Sequence, residues 1–131
     1  MPRATLDSWA VLALLNDEPP ASRVQDVIAE GEAVMSWVNL GEVYHYTVRR
    51  RDERRARIAI EAIQRRVRVE APDPELVLAA AGIKAGGGLS YADAFCVATA
   101  RRHRAALYTG DPEIVRLDAP DIEVIDLRST A

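Results

Sequence analysis

The strongest constraint on the fold is an alternation, along the whole chain, of short apolar runs with stretches of helical periodicity. "RATL" (3–6), "EAVMS" (32–36), "AALYTG" (105–110) and "IEVIDL" (122–127) have strand length. Between them, "DSWAVLALLN" (7–16) reads as a helix, and "ASRVQDVIAEG" (21–31) sets Val24, Val27 and Ile28 at helical spacing before Gly31. "VNLGEVYHYTVRRR" (38–51) and "DERRARIAIEAIQRRV" (52–67) read as consecutive helices; in the second, Ala56, Ile60, Ile63 and Val67 share one face. "VRVEAP" (67–72) is a minor strand or a connector. "DPELVLAAAGIKAG" (73–86) opens on Asp-Pro and closes on three glycines, and "SYADAFCVATARRHR" (90–104) is the next helix. No hairpin signal joins any two strands. Parallel strands need crossovers, and the crossover helices cover both faces of the sheet. The expectation is an α/β fold: a small parallel sheet of about four to five strands flanked by helices on both faces, as one domain over residues 1–131.

Composition narrows the setting. Hydrophobic residues make up 49% of the 131, enough for a core. No apolar run approaches the roughly 20 residues of a membrane span. The start, "MPRATLDSWAVLALL", superficially suggests a leader, but Asp7 interrupts the run and no small-residue cleavage site follows. Cys96 is the one cysteine, which excludes an internal disulfide and points to a reducing, cytoplasmic setting. The net charge of −3 conceals a polarised chain. Residues 49–68 hold nine Arg against Asp52, Glu53 and Glu61, a balance of +6, and the remaining residues carry eight basic and seventeen acidic side chains, a balance of −9. Such a run is either a solvated helix face or a surface that displaces counterions from nucleic acid; Arg49, Arg50, Arg51, Arg54 and Arg55 are its candidates for RNA contact.

Four acids fall at element ends. Asp7 follows the first strand directly, and Asp111 follows "LYTG"; ligands of open parallel sheets bind beyond the carboxyl ends of strands. Glu42 lies in the first turns of the helix after "EAVMS", and Asp93 in the first turn of the helix before "AALYTG". Each also has a local explanation. Asp7 is placed to cap its helix, Ser90-Tyr91-Ala92-Asp93 matches a capping box, and Asp111-Pro112 is a cap followed by Pro. "DPE" even occurs twice, at 73–75 and 111–113, and Asp73 reads as a cap alone. Should the strands preceding Asp7 and Asp111 be neighbours, all four carboxylates meet at one sheet edge. Gathered carboxylates repel, and a divalent cation relieves that repulsion. Mg²⁺ takes oxygen ligands and lets an acidic pocket accept a polyanion.

These residues carry a resemblance. From "TLDSWAVLALLNDEPPA" through "WVNLGEVYHY" and "GLSYADAFCVATA" to "LYTGDPEI" and "EVIDL", the chain resembles PIN-domain ribonucleases, and among them the VapC toxins of bacterial VapBC toxin–antitoxin pairs. The resemblance puts the family's acidic quartet on Asp7, Glu42, Asp93 and Asp111, holding Mg²⁺ or Mn²⁺ directly or through water, with hydroxyl contacts from Ser8 and Thr109. It implies a homodimer, a cognate VapB-type antitoxin, and cleavage of structured or single-stranded loop RNA of the transfer or ribosomal class. The reaction it implies is in-line attack of water that leaves a 5′-phosphate and a 3′-hydroxyl. An antitoxin tail would press a basic side chain into the acid pocket. Two features depart from the pattern: Trp9 stands where a small residue is common, and "AGGG" makes the approach to Ser90 unusually flexible.

Other readings compete for the same residues. A haloacid-type phosphatase wants Asp two positions after the first, where Trp9 stands, and a receiver domain wants an acidic pair that the sequence lacks. A catalytically silent module acting through partner-protein binding is the remaining alternative. His45 and His103 lack zinc-ligand spacing and read as surface or partly buried residues, and Cys96 reads as core. Lys84 fits a helix end. Trp37, Tyr44 and Tyr46 flank Glu42 as base-stacking or packing residues.

Overall fold

A computed structural model describes residues 2–129; of the span expected to form one domain, residues 1, 130 and 131 lie outside the described residues. Five strands, β1 (Ala4–Leu6), β2 (Ala33–Ser36), β3 (Arg68–Glu70), β4 (Ala106–Thr109) and β5 (Val124–Asp126), form one sheet in the order β3-β2-β1-β4-β5, every pairing parallel. Helices fill the crossovers: α1 (Ser8–Leu15) and α2 (Ala21–Ala29), then α3 (Trp37–Arg50) and α4 (Glu53–Gln64), then α5 (Pro74–Ala85) and α6 (Tyr91–His103), and a short α7 (Pro112–Val115).

The strand register explains the two cores that include sheet residues; a third cluster, of Leu76, Ala80, Ala94, Phe95 and Ala98, joins α5 to α6. Leu6 pairs with Tyr108 and Thr5 with Leu107, and side chains at paired positions share a face. Leu6 and Tyr108 join Val11, Val24, Met35, Leu40, Val43 and Ile63, from α1–α4 and β2, in one cluster. Leu107 instead joins Cys96, Val97, Ala100 and Ile114, from α6 and α7, in another. The sheet therefore carries helices on both faces. The predicted apolar face of α4 is the buried one: Ala56, Ile63 and Val67 are buried and Ile60 packs against them.

Boundaries moved slightly. "VRVEAP" is a true edge strand, β3. The second helix stops at Ala29, with Gly31 at φ +81°, a left-handed turn that glycine adopts freely. The Asp-Pro at 111–112 opens a full helical turn, α7, where the sequence showed only a cap.

From β1 the chain steps outward to β2 and β3, then crosses back past β1 to lay down β4 and β5. The direction of growth reverses between β1 and β4, and open parallel sheets bind ligands beyond the strand ends at such a point. Asp7 and Asp111 follow those two strands. No helix among the described residues is long and apolar enough to cross a membrane.

Candidate active site

Asp7 is almost fully buried at the end of β1. It caps α1, its Oδ1 accepting the Ala10 amide at 2.9 Å, while its Oδ2 accepts the Thr109 hydroxyl. Thr109 ends β4, and its Oγ1 in turn accepts the Asp111 amide at 2.9 Å. Asp111 caps α7 through the Glu113 amide, also at 2.9 Å. Neighbouring strands thus deliver the two carboxylates side by side.

Glu42 arrives from α3, which begins at the end of β2. Its Oε1 accepts the Ser8 hydroxyl at 2.9 Å and, at 3.4 Å, the Asn39 amide. Asn39 Nδ2 also donates to the Ala92 carbonyl at 3.0 Å, tying α3 to the first turn of α6. With both acceptors on the Nδ2 side, the amide orientation is fixed, and its buried Oδ1 has no protein donor. The sequence reading missed Asn39; its place one helical turn before Glu42 was the available signal. Asp93 lies in the first turn of α6, buried, with Ser90 Oγ accepting its amide at 3.1 Å. Ser90 therefore caps the helix, and its hydroxyl also bonds the Asp93 carboxyl, which meets Asp111 on its other side.

Electrostatics ties the acids together. Burial pushes the Asp7 carboxyl up to about 7 against the pull of its Thr109 and Ala10 hydrogen bonds, and the charges of Asp93 and Asp111 push the same way. Burial and the adjacent Asp111 charge, helped by Glu42, push Asp93 up to about 6. Cys96 is buried beneath them; burial first, then the four acid charges, raises its thiol, so it behaves as core. Among the described residues no Lys or Arg forms an ion pair with Asp7, Glu42, Asp93, Asp111 or Glu113.

The tightest group is one the sequence reading found only in part. Carboxylate oxygens of Asp93, Asp111 and Glu113 lie within 4.8 Å of one another. Glu113 escaped notice because an acid after Asp-Pro is equally expected as a favourable partner for a helix N-terminus, as Glu75 is after Asp73. Asp7 and Glu42 lie beside this trio, outside it. Arg128 feels the Asp111 charge from beyond ion-pair distance, and its own partner is Asp126. An all-oxygen, all-carboxylate donor set with no direct ion pair among the described residues fits a hard divalent ion such as Mg²⁺ or Mn²⁺.

The arginines are elsewhere. Arg49, Arg50, Arg51, Arg54 and Arg55 are all exposed at the end of α3 and the start of α4. Arg50, Arg51 and Arg55 line a cleft of about 400 Å³ with Asn16, Tyr46 and Thr47; Arg49 and Arg54 do not line it. Arg50 lies over the Tyr46 ring at 5.2 Å, and Arg55 pairs with Asp52 at 3.0 Å. Eight residues of α3 separate Arg50 from Glu42, roughly 12 Å of helix rise, so this cleft is remote from the acids. Trp37 and Tyr44 line a second cleft, of about 360 Å³, between α3 and α4. Lys84 Nζ donates to the Leu89 carbonyl, bracing the glycine loop. His103 meets Glu70 at 2.6 Å, and His45 is exposed.

Comparison with known proteins follows the same lines. Among solved structures, the fold is similar to a DNA-bound VapBC complex from Salmonella typhimurium (TM-score 0.77, 17% identity, covering 97% of this chain and 99% of that one). It is also similar to a sarcin–ricin loop cleaving VapC toxin of Mycobacterium tuberculosis (TM-score 0.74, 22% identity, 91% and 98% covered). A VapBC complex from nontypeable Haemophilus influenzae is a further neighbour (TM-score 0.70, 22% identity, 95% and 98% covered). A search of functionally curated proteins gives no significant match. The PIN domain family model matches residues 4–120, from β1 through α7, with all five clustered acids inside the match. The chain belongs to the PIN domain family.

Proposed function

We propose that this chain is a VapC-type toxin, one PIN domain over residues 1–131, acting as a divalent-metal-dependent endoribonuclease restrained by a VapB-type antitoxin. The observation that carries the reading is the convergence of Asp7, Glu42, Asp93 and Asp111, joined by Glu113, beyond the ends of β1 and β4, with no Lys or Arg in ion-pair contact with any of them among the described residues. Fold likeness to VapBC complexes supports the antitoxin partner, and the sarcin–ricin loop cleaving neighbour supports structured RNA as the substrate class.

In this reading Asp93, Asp111 and Glu113 hold Mg²⁺ or Mn²⁺, with Asp7 and Glu42 completing the site from β1 and α3. When bound, the ion supplies positive charge to the scissile phosphate and to the water that attacks it. The chain's own work is positioning. Ser8 and Asn39 fix the Glu42 carboxylate, Thr109 fixes Asp7, and Ser90 caps α6 and steadies the Asp93 carboxyl beside Asp111. The arginines at 49–51 and 54–55 hold RNA backbone away from the cut. Cytoplasmic residence and a homodimer complete the proposal.

The test is incubation of wild-type protein and Asp93→Asn with total RNA, with Mn²⁺ and then with EDTA. Discrete cleavage by wild type alone, lost in EDTA, is the expected result. Failure of the wild type both to cut RNA and to bind Mn²⁺ hands the protein to the silent partner-binding reading.

A further inference from the structure

Trp9 is the residue that departs from the family pattern, and the structure gives it a task. It sits in the first turn of α1, two positions after Asp7, and its ring packs partly buried against the β1–α4 core. Its indole lies on the backbone of Gly110. A Cβ built on Gly110 would fall well inside van der Waals contact of Trp9 Cζ2, Cε2 and Cη2. Those atoms belong to a rigid bicycle anchored in a core, so they do not yield as the tip of a flexible chain would. Gly110 is not among the glycines with left-handed φ. The indole, rather than the backbone conformation, is what demands glycine here.

Gly110 separates Thr109 from Asp111. On one side of this turn the Thr109 hydroxyl holds Asp7 and the Asp111 amide. On the other side lies the Trp9 ring. We propose that Trp9 is a positioning residue of the acid cluster: by filling the space over Gly110 it fixes the turn that aims Asp111, and Glu113 after it, at Asp93. One side chain thereby couples the segment that begins at Asp7 to the segment that carries Asp111. The proposal rests on reading the cluster as a divalent-cation site, and the experiment separates the two.

Gly110→Ala, Trp9→Leu and the double variant are compared with wild type by Mn²⁺ titration calorimetry and by the metal-free amide resonances of Asp111 and Glu113. Leucine vacates the outer ring positions that the methyl added by Gly110→Ala needs. Gly110→Ala and Trp9→Leu are each expected to weaken Mn²⁺ binding about tenfold, the scale of lost support around a metal ligand. The double variant is expected to bind better than Gly110→Ala alone, because the obstacle has gone, and to return the Asp111 amide toward its wild-type position. Should Gly110→Ala fail to fold, refolding of the double variant is the supporting result. Wild-type Mn²⁺ affinity and unmoved amides in Gly110→Ala overturn the proposal, as does a double variant no better than Gly110→Ala. If wild type binds no Mn²⁺ while the amides move and are restored, the interlock stands and the metal reading falls.

Discussion

Thr109 donates its hydroxyl proton to Asp7 across 102 positions of sequence, and the same oxygen accepts the amide of Asp111. One side chain at the end of β4 thus orients the acids that follow the adjacent strands β1 and β4. A buried carboxylate keeps its place only while its donors are present.

Replacing Thr109 by Val removes the hydroxyl at nearly constant volume. Asp7 loses one of its two donors and the Asp111 amide loses its acceptor. Unfolding free energy should fall by roughly 1–3 kcal/mol in urea titrations, and Mn²⁺ binding should weaken with it. Thr109→Ser keeps the hydroxyl and should recover most of both. Equal behaviour of the Val and Ser variants would show that the bridge contributes nothing.

The raised carboxyls predict an unusual pH dependence. Asp7 is pushed up to about 7 and Asp93 to about 6, from 3.8. The folded chain therefore holds these protons more tightly than the unfolded chain, and stability falls as pH rises from about 4 to about 7. Asp73, Asp121 and Asp126 are lowered by Arg102, Arg101 and Arg128, so their contribution is lost only below the ordinary carboxylate range. In EDTA the melting temperature should be higher at pH 5 than at pH 8. Asp7→Asn should flatten that slope while abolishing RNA cleavage. A flat wild-type profile would contradict the buried-acid account.

Metal binding must compete with the same protons. Mn²⁺ affinity is expected to rise from pH 5 to pH 8, and calorimetry in buffers of different ionisation enthalpy should register proton release on binding. Added Mn²⁺ should raise the melting temperature more at pH 8 than at pH 5. A pH-independent affinity would place the ion away from Asp7 and Asp93.

The repeated "DPE" supplies an internal control. Asp73 caps α5 and meets Arg102 in two hydrogen bonds of 2.8 and 2.9 Å, whereas Asp111 caps α7 and faces Asp93 and Glu113. Asp73→Asn should lower the melting temperature slightly and leave RNA cleavage intact. Asp111→Asn should leave a folded protein that no longer cleaves. Loss of cleavage in both variants would mean that the assay reads stability rather than chemistry.

Much of this was legible in the chain. Strand-length apolar runs separated by amphipathic stretches, without hairpin signals, led to a parallel sheet with helices on both faces, and the faces of α2 and α4 followed from spacing alone. The edge strand β3 stayed ambiguous because its residues are only half covered, so the apolar pattern weakens there. Glu113 stayed hidden because a helix N-terminus accounts for an acid in its first turn with or without an ion. Where the arginine run lies relative to the acids was not legible from its closeness in sequence to Glu42, since a helix carries charge away at a fixed rise per residue.

The sequence by itself determined most of the elements, the caps and the positions of four acids at element ends, because those depend on periodicity and local hydrogen bonding over a few residues. Tertiary structure alone decided that β1 and β4 lie side by side, that Asn39 bridges α3 to α6, and that the Trp9 ring occupies the space over Gly110. These relations join residues tens of positions apart, and they arise from strand order and close packing, which no local pattern encodes.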